Sequence, residues 1–185
     1  MRVIKDRQIV DDSWVLLAPE AAAIPANAAI PAAPSPAALP LEGDVIVSLA
    51  LWNQEWNAAR SAGTLAFAGR SGKVGLRLRS NEAPEDIVAL EQAPLIAIEF
   101  PSFTDGRGYS SARLLRARFG YRGELRAIGD VLRDQLFYMA RCGIDSFALK
   151  AGKDIQGALA AFQDFSVTYQ AAADDERPLF RRIHR

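Results

Sequence analysis

The sequence predicts an α/β fold: a parallel sheet of about five strands built from βα repeats, open or curled into a half-barrel, with an N-terminal hairpin or arm. Three observations carry this prediction. From Asp44 onward, short β-branched runs alternate with segments of helical periodicity. Half of the 185 residues are hydrophobic and a quarter charged, as in a globular domain with a proper core. Finally, Leu76 and Leu78 alternate with Arg77 and Arg79, so one face of that strand is polar, unlike a strand covered on both sides. An edge strand, or the inner wall of a partial barrel with Arg77, Glu99 and Arg126 as cross-strand partners, accounts for it.

Along the chain, VIKDRQIVDDSWVLL sets apolar residues on both sides of Asp6 and Arg7, the pattern of a small hairpin or paired extended arms over residues 1–18. Residues 19–40 then hold six of the ten prolines in an alanine background and read as a semi-rigid linker. The α/β domain follows over 41–170. Its predicted strands are Val45 to Leu49, Val74 to Arg79, Leu95 to Phe100, Glu124 to Ile128 and Asp145 to Leu149. Helical stripes run through Trp52 and Trp56, through Leu132, Leu136, Met139 and Gly143, and through Ile155, Ala158, Leu159 and Phe162. Residues 171–185 form a basic tail.

Charge and composition exclude several functions. Lysine plus arginine equals aspartate plus glutamate, 22 against 22, so no net field attracts nucleic acid or an anionic membrane. No stretch approaches the roughly 20 apolar residues of a membrane span, and the charged N-terminus lacks a signal peptide's apolar core. A cytoplasmic location is expected. Cys142 is the single cysteine, which excludes an internal disulfide and any CxxC site, and it reads as a small buried hydrophobe. His184 is the single histidine, second from the end, so a Ser/His/Asp triad or a histidine metal cage would need the tail to fold back. No metal site is expected.

Chemistry belongs at the edge where the loops after parallel strands gather. The strand ends offer Asn53, Arg79, then Thr104, Asp105 and Arg107, then Asp130, then Lys150. Arg79, Arg107 and Lys150 suit a small oxyanion, with Gly106 and Gly108 letting backbone approach it. Asp105 and Asp130 are candidate general acids or bases. Exposed strand ends carry charge in any case, and Asp130 also reads as the N-cap of a helix beginning at Val131. Against GxGxxG, Gly106 and Gly108 match but Ser111 stands at the third position. GRSGKVG departs from a phosphate-binding loop, with Phe67 in place of the first glycine and Val74 after the lysine. Trp52 and Trp56 read as packing. In the tail, Phe180, Arg181 and Arg182 interleave apolar and basic groups in a way that suits docking onto an acidic partner.

The run from Phe100 to Leu149, with FTDGRGYS, RLLR, GELRA, GD and DQL in order, resembles a bacterial family catalogued as domain of unknown function nine-three-four. The likeness spans roughly Leu39 to Phe165, and DDSWVLL near the start is also similar. Members are commonly labelled oxidoreductases of sulfite reduction, with genes often beside those for sulfite reductase and sulfonucleotide reductases. The resemblance implies an accessory protein of assimilatory sulfate and sulfite reduction, acting with sulfite reductase or the sulfonucleotide reductase. No flavin, nicotinamide, haem or iron–sulfur motif is present, so no cofactor of its own is expected. The alternative is a small-anion or sulfonucleotide-binding enzyme or sensor using the basic strand ends. A self-associating scaffold, at its simplest a homodimer, is a third reading.

Overall fold

The computed structural model describes residues 1–17 and 39–182, so the proline-rich linker lies almost wholly outside the described residues, as does His184. Eight strands form one mixed sheet: β1 Arg2–Lys5, β2 Gln8–Asp11, β3 Val15–Leu16, β4 Val45–Ser48, β5 Val74–Leu78, β6 Leu95–Phe100, β7 Glu124–Gly129 and β8 Ser146–Phe147. Their order is β2-β1-β8-β7-β6-β5-β4-β3, an open sheet curled into a half-barrel. From β3 to β8 all neighbours are parallel, and β1 is antiparallel to both β2 and β8. The five predicted strands are β4 to β8. The purely parallel five-stranded sheet expected from sequence is corrected by the N-terminal segment, whose hairpin extends one edge while Val15–Leu16 extends the other.

The helices follow from local chemistry. Helix α1, Leu49–Ala62, starts where Ser48 Oγ accepts the Leu51 N–H at 3.3 Å and ends at Gly63, whose φ of 66° only glycine adopts without strain. Between β5 and β6 the chain makes only 3₁₀ turns, Pro84–Asp86 and Leu90–Gln92. Helix α2 is Arg107–Ala117, α3 Leu136–Arg141, α4 Ile155–Ala158 and α5 Leu179–Arg182. The larger core cluster joins one face of the sheet, including Val45, Leu76, Ile98 and Leu125, to Trp52, Leu115 and Met139 of the helices. Trp52 is buried and donates from Nε1 to the Val88 carbonyl at 2.7 Å, which confirms its packing role.

The opposite face is concave. It carries a small apolar cluster, Val3, Ile46, Leu95, Ala97, Ile128 and Ala148, against which Val10 and Trp14 pack. A flat eight-stranded sheet would hold its edges roughly 33 Å apart. Only Asp12, Ser13 and Trp14 join β2 to β3, and the peptide steps from Asp11 to Val15 reach about 14 Å at most. The sheet must therefore curl, and the strap crosses its hollow. It leaves β2 at the C-terminal end and enters β3 beside the first residue of β4, a stagger that strand tilt in a barrel supplies.

Arg126 anchors the strap. Its side chain, 4 % exposed, donates from Nη1 to both Asp12 carboxylate oxygens at 2.8 and 2.9 Å. Its Nη2 and Nε donate to Glu124 Oε1 at 2.7 and 2.9 Å, and Nε also reaches Ser146 Oγ at 3.2 Å. Lys5 Nζ donates to the other Glu124 oxygen at 2.7 Å. Burial alone would raise the Glu124 pKa, but Lys5 and Arg126 outweigh it and hold the group below the ordinary carboxylate range. The sign follows directly: the stability contributed by ionised Glu124 is present above its unfolded pKa and is lost as pH falls through the depressed folded value.

Arg126→Met leaves Asp12 buried without its counter-charge and Glu124 with Lys5 alone, and is expected to cost about 3–5 kcal/mol in urea unfolding at neutral pH. Wild-type protein should lose stability on acidification below the ordinary carboxylate range. A melt of Arg126→Met within 1 kcal/mol of wild type, on the order of a peripheral surface pair, would show that the cluster does not hold the sheet.

Candidate functional site

The loops after β4 to β8 converge at the C-terminal edge of the half-barrel, but the basic residues expected to form an anion pocket there are engaged with carboxylates. Arg107 donates from Nε and Nη2 to the two Asp105 oxygens at 3.0 and 2.7 Å, and its backbone N–H reaches Asp105 Oδ1 at 3.1 Å. Asp105 is held well below the ordinary carboxylate range, first by the Arg107 side chain. The negative group at the start of α2 is thus the chain's own Asp105. Lys150 Nζ pairs with Asp130 Oδ1 at 2.8 Å, while Asp130 Oδ2 accepts the Phe103 N–H at 3.1 Å. Lys150 lowers the Asp130 pKa.

Two residue roles read from sequence differ in detail. Asp130 does not cap a helix at Val131, because Val131 is not helical, Leu132 is extended and a 3₁₀ turn at Arg133–Gln135 leads into α3. It ties the loop after β6 to the segment after β8 instead. Gly108 is required by packing: a Cβ there would lie 2.6 Å from Phe100 Cζ and 3.1 Å from Ile98 Cγ2. At Gly106, with φ −87°, an added Cβ would make only an ordinary contact, 3.9 Å from Tyr109 Cδ2. Cys142 is buried, and burial pushes its thiol pKa up, as an inert core thiol requires.

Arg79 belongs to a different group, on the concave face. Arg77 Nε and Arg79 Nε stand 3.8 and 3.9 Å from Glu99 Oε2, beyond hydrogen-bond length. Arg77 is 5 % exposed, and its buried Nη2 has no hydrogen-bond partner. Burial first, and Arg79 after it, press the Arg77 pKa down against the pull of Glu99 and Glu82. The Arg79 backbone N–H donates to Glu82 Oε2 at 2.7 Å. The alternation VGLRLRS marks this polar face, but the expected cross-strand trio does not form: Arg77 stands opposite Ala97, with Glu99 on the diagonal at 3.8 Å, and Arg126 is held by Asp12 and Glu124 instead.

A family model described as bacterial protein of unknown function (DUF934) matches residues 75–180, more than half of the chain. The chain belongs to this family. The DUF934 match opens at Gly75 on β5 and closes at Phe180, so it takes in Arg77, Glu99, Arg126 and the whole strand-end edge from β5 onward. The hairpin, the strap and β3 to α1 precede it. A search of curated proteins finds no match.

The C-terminal segment of this DUF934 chain is tied to the body. Arg133 pairs with Asp164 at 2.8 Å, Arg141 pairs with Asp174 at 3.3 Å, and Ala173 N–H donates to the Arg141 carbonyl at 2.9 Å. Arg182 donates to Thr168, pairs with Asp175 at 3.4 Å and is only partly exposed. Phe180 and Arg181 are exposed, and Arg181 has no carboxylate at ion-pair distance among the described residues. The exposed Phe165, Val167 and Tyr169 of the same segment were missed from sequence, because nothing in their spacing says that the chain folds back as an irregular segment. Among the described residues no group of three or more His, Cys, Asp or Glu is disposed to hold a metal, and no helix is long and apolar enough to cross a membrane.

Gly108→Ala should cost about 1–3 kcal/mol, since Phe100 is fully buried and cannot swing aside. Gly106→Ala should lie within about 0.5 kcal/mol of wild type. Denaturant melts of the pair decide between helix packing and backbone approach to a ligand; equal stability of both variants contradicts the packing role.

Proposed function

We propose that this chain is an accessory protein of assimilatory sulfate and sulfite reduction that docks on sulfite reductase or the sulfonucleotide reductase through its C-terminal face. The observation that carries the reading is the C-terminal segment itself. Ion pairs and backbone bonds fix its path, yet it directs Phe165, Val167, Tyr169 and Phe180 into solvent, with Tyr169 80 % and Phe180 76 % exposed. The Leu179 N–H donates to the Tyr169 carbonyl at 3.4 Å, which brings those two aromatics into one region, and the Arg181 guanidinium lies 5.8 Å from the centre of the Phe180 ring.

Ordering large apolar groups and leaving them wet has no folding benefit, whereas aromatics beside arginine are the groups that dominate protein interfaces. The partner follows from the family resemblance and from composition. One cysteine cannot supply the four thiolates of an iron–sulfur cluster, so electrons for a sulfur oxyanion would come through another protein.

Co-purification of the tagged chain with assimilatory sulfite reductase or the sulfonucleotide reductase tests this. Capture should survive moderate salt and fall at least tenfold in a Tyr169→Ser, Phe180→Ser double variant whose melting temperature is unchanged. Failure to capture either enzyme, or capture unaffected by the double variant, refutes the reading.

A further inference from the structure

Ser48, Arg77, Ala97, Arg126 and Ser146 sit side by side in register across β4 to β8. All five belong to the concave face, because their strand neighbours Val47, Leu76, Ile96, Leu125 and Phe147 are in the helix-side core. The two arginines in this row have opposite fates. Arg126 is saturated by Asp12, Glu124 and Ser146. Arg77 is as deeply buried, at 5 % exposure against 3 %, and its guanidinium has an orphan Nη2 and a nearest carboxylate oxygen at 3.8 Å.

A buried guanidinium nitrogen with no acceptor is unfavourable, and Nη2 of Arg77 is such a donor, aimed where an acceptor from outside the chain would satisfy it. The flanking residues in the row, Ser48 and Ala97, are small. Arg79 and Glu99 lie two residues further towards the strand ends than Arg77 and Ala97 and are partly exposed, so they stand between Arg77 and solvent at the C-terminal edge.

We infer that Arg77, Arg79 and Glu99 form a binding site for a small oxyanion that still carries a proton at neutral pH, of the hydrogenphosphate type. Two guanidiniums supply the donors that an anion's oxygens need. Glu99 fixes the second property. Its carboxylate accepts no hydrogen bond from either arginine, so it is free to accept one from the ligand's own O–H. A fully deprotonated tetrahedral anion such as sulfate brings only acceptors and meets the Glu99 charge unpaired. The site therefore selects by proton content, independently of any docking on the C-terminal face.

The probes are inorganic phosphate and sulfate at equal ionic strength, titrated calorimetrically into the full chain at pH 7. Phosphate should bind at least about tenfold more tightly than sulfate, as expected when a site built around a hydrogen bond meets a ligand that lacks it. Glu99→Gln, whose amide can donate as well as accept, should narrow that ratio by admitting sulfate. Arg77→Met should abolish phosphate binding while leaving the unliganded protein no less stable than wild type, because Arg77 has no internal partner to lose. Arg79→Gln should weaken phosphate binding without altering the fold.

Each contrary result overturns the inference. Wild type that binds no phosphate at millimolar concentration, equal affinity for the two anions, or phosphate binding that survives both Arg77→Met and Arg79→Gln does so. An unliganded Arg77→Met that melts well below wild type would assign Arg77 to structure.

Discussion

Three residues, Asp12 to Trp14, join the two edges of an eight-stranded sheet, and Arg126 grips the first of them from inside the hollow. So short a connection excludes a flat sheet and imposes curl, and curl creates a concave face that must be filled. Trp14 fills part of it with apolar surface. The rest is lined with charge, which a low-dielectric hollow tolerates only when each group finds a partner. Arg126, Asp12, Glu124, Lys5 and Ser146 meet that condition as a closed network.

The same constraint gives the other half of the hollow its character. Away from the strap, Arg77 and Arg79 face a single carboxylate beyond bonding distance. The strand-end loops show the reverse pattern, with Arg107 and Lys150 each answered by an aspartate. Charge that looks available in a list of loop residues is already spent on holding the loops, whereas the uncompensated charge sits one layer deeper on the strands. The helix-side core is predominantly apolar and carries none of these charges. It fixes the strands that carry it, and Gly108 against Phe100 shows how closely.

Periodicity was enough to place β4 to β8, because strands covered by helices must be apolar on the helix side, and Leu95–Phe100 has the predicted limits. It also revealed the polar face of β5. The N-terminal strands were harder to assign. A hairpin is visible in the sequence, but its pairing with β8, and that of Val15–Leu16 with β4, depend on contacts across more than a hundred and about thirty residues respectively. Local patterning carries no record of such pairings. Ion pairs were the other blind spot: Asp105 and Arg107 are close enough in sequence for their bond to be foreseen, but Arg126 with Asp12 is not. The exposed aromatics after Phe162 belong to an irregular segment whose path is set by Arg133, Arg141 and Arg182.

The claim on which this account turns is that the strap and the wall of the half-barrel are one energetic unit. A double-mutant cycle between Asp12→Asn and Arg126→Met, read by urea unfolding, measures it most directly. The account predicts a coupling energy of about 1–3 kcal/mol, the range for buried partners in one network. Additivity within about 0.3–0.5 kcal/mol, as for independent sites, would contradict it and leave the strap joined to the wall by the chain alone.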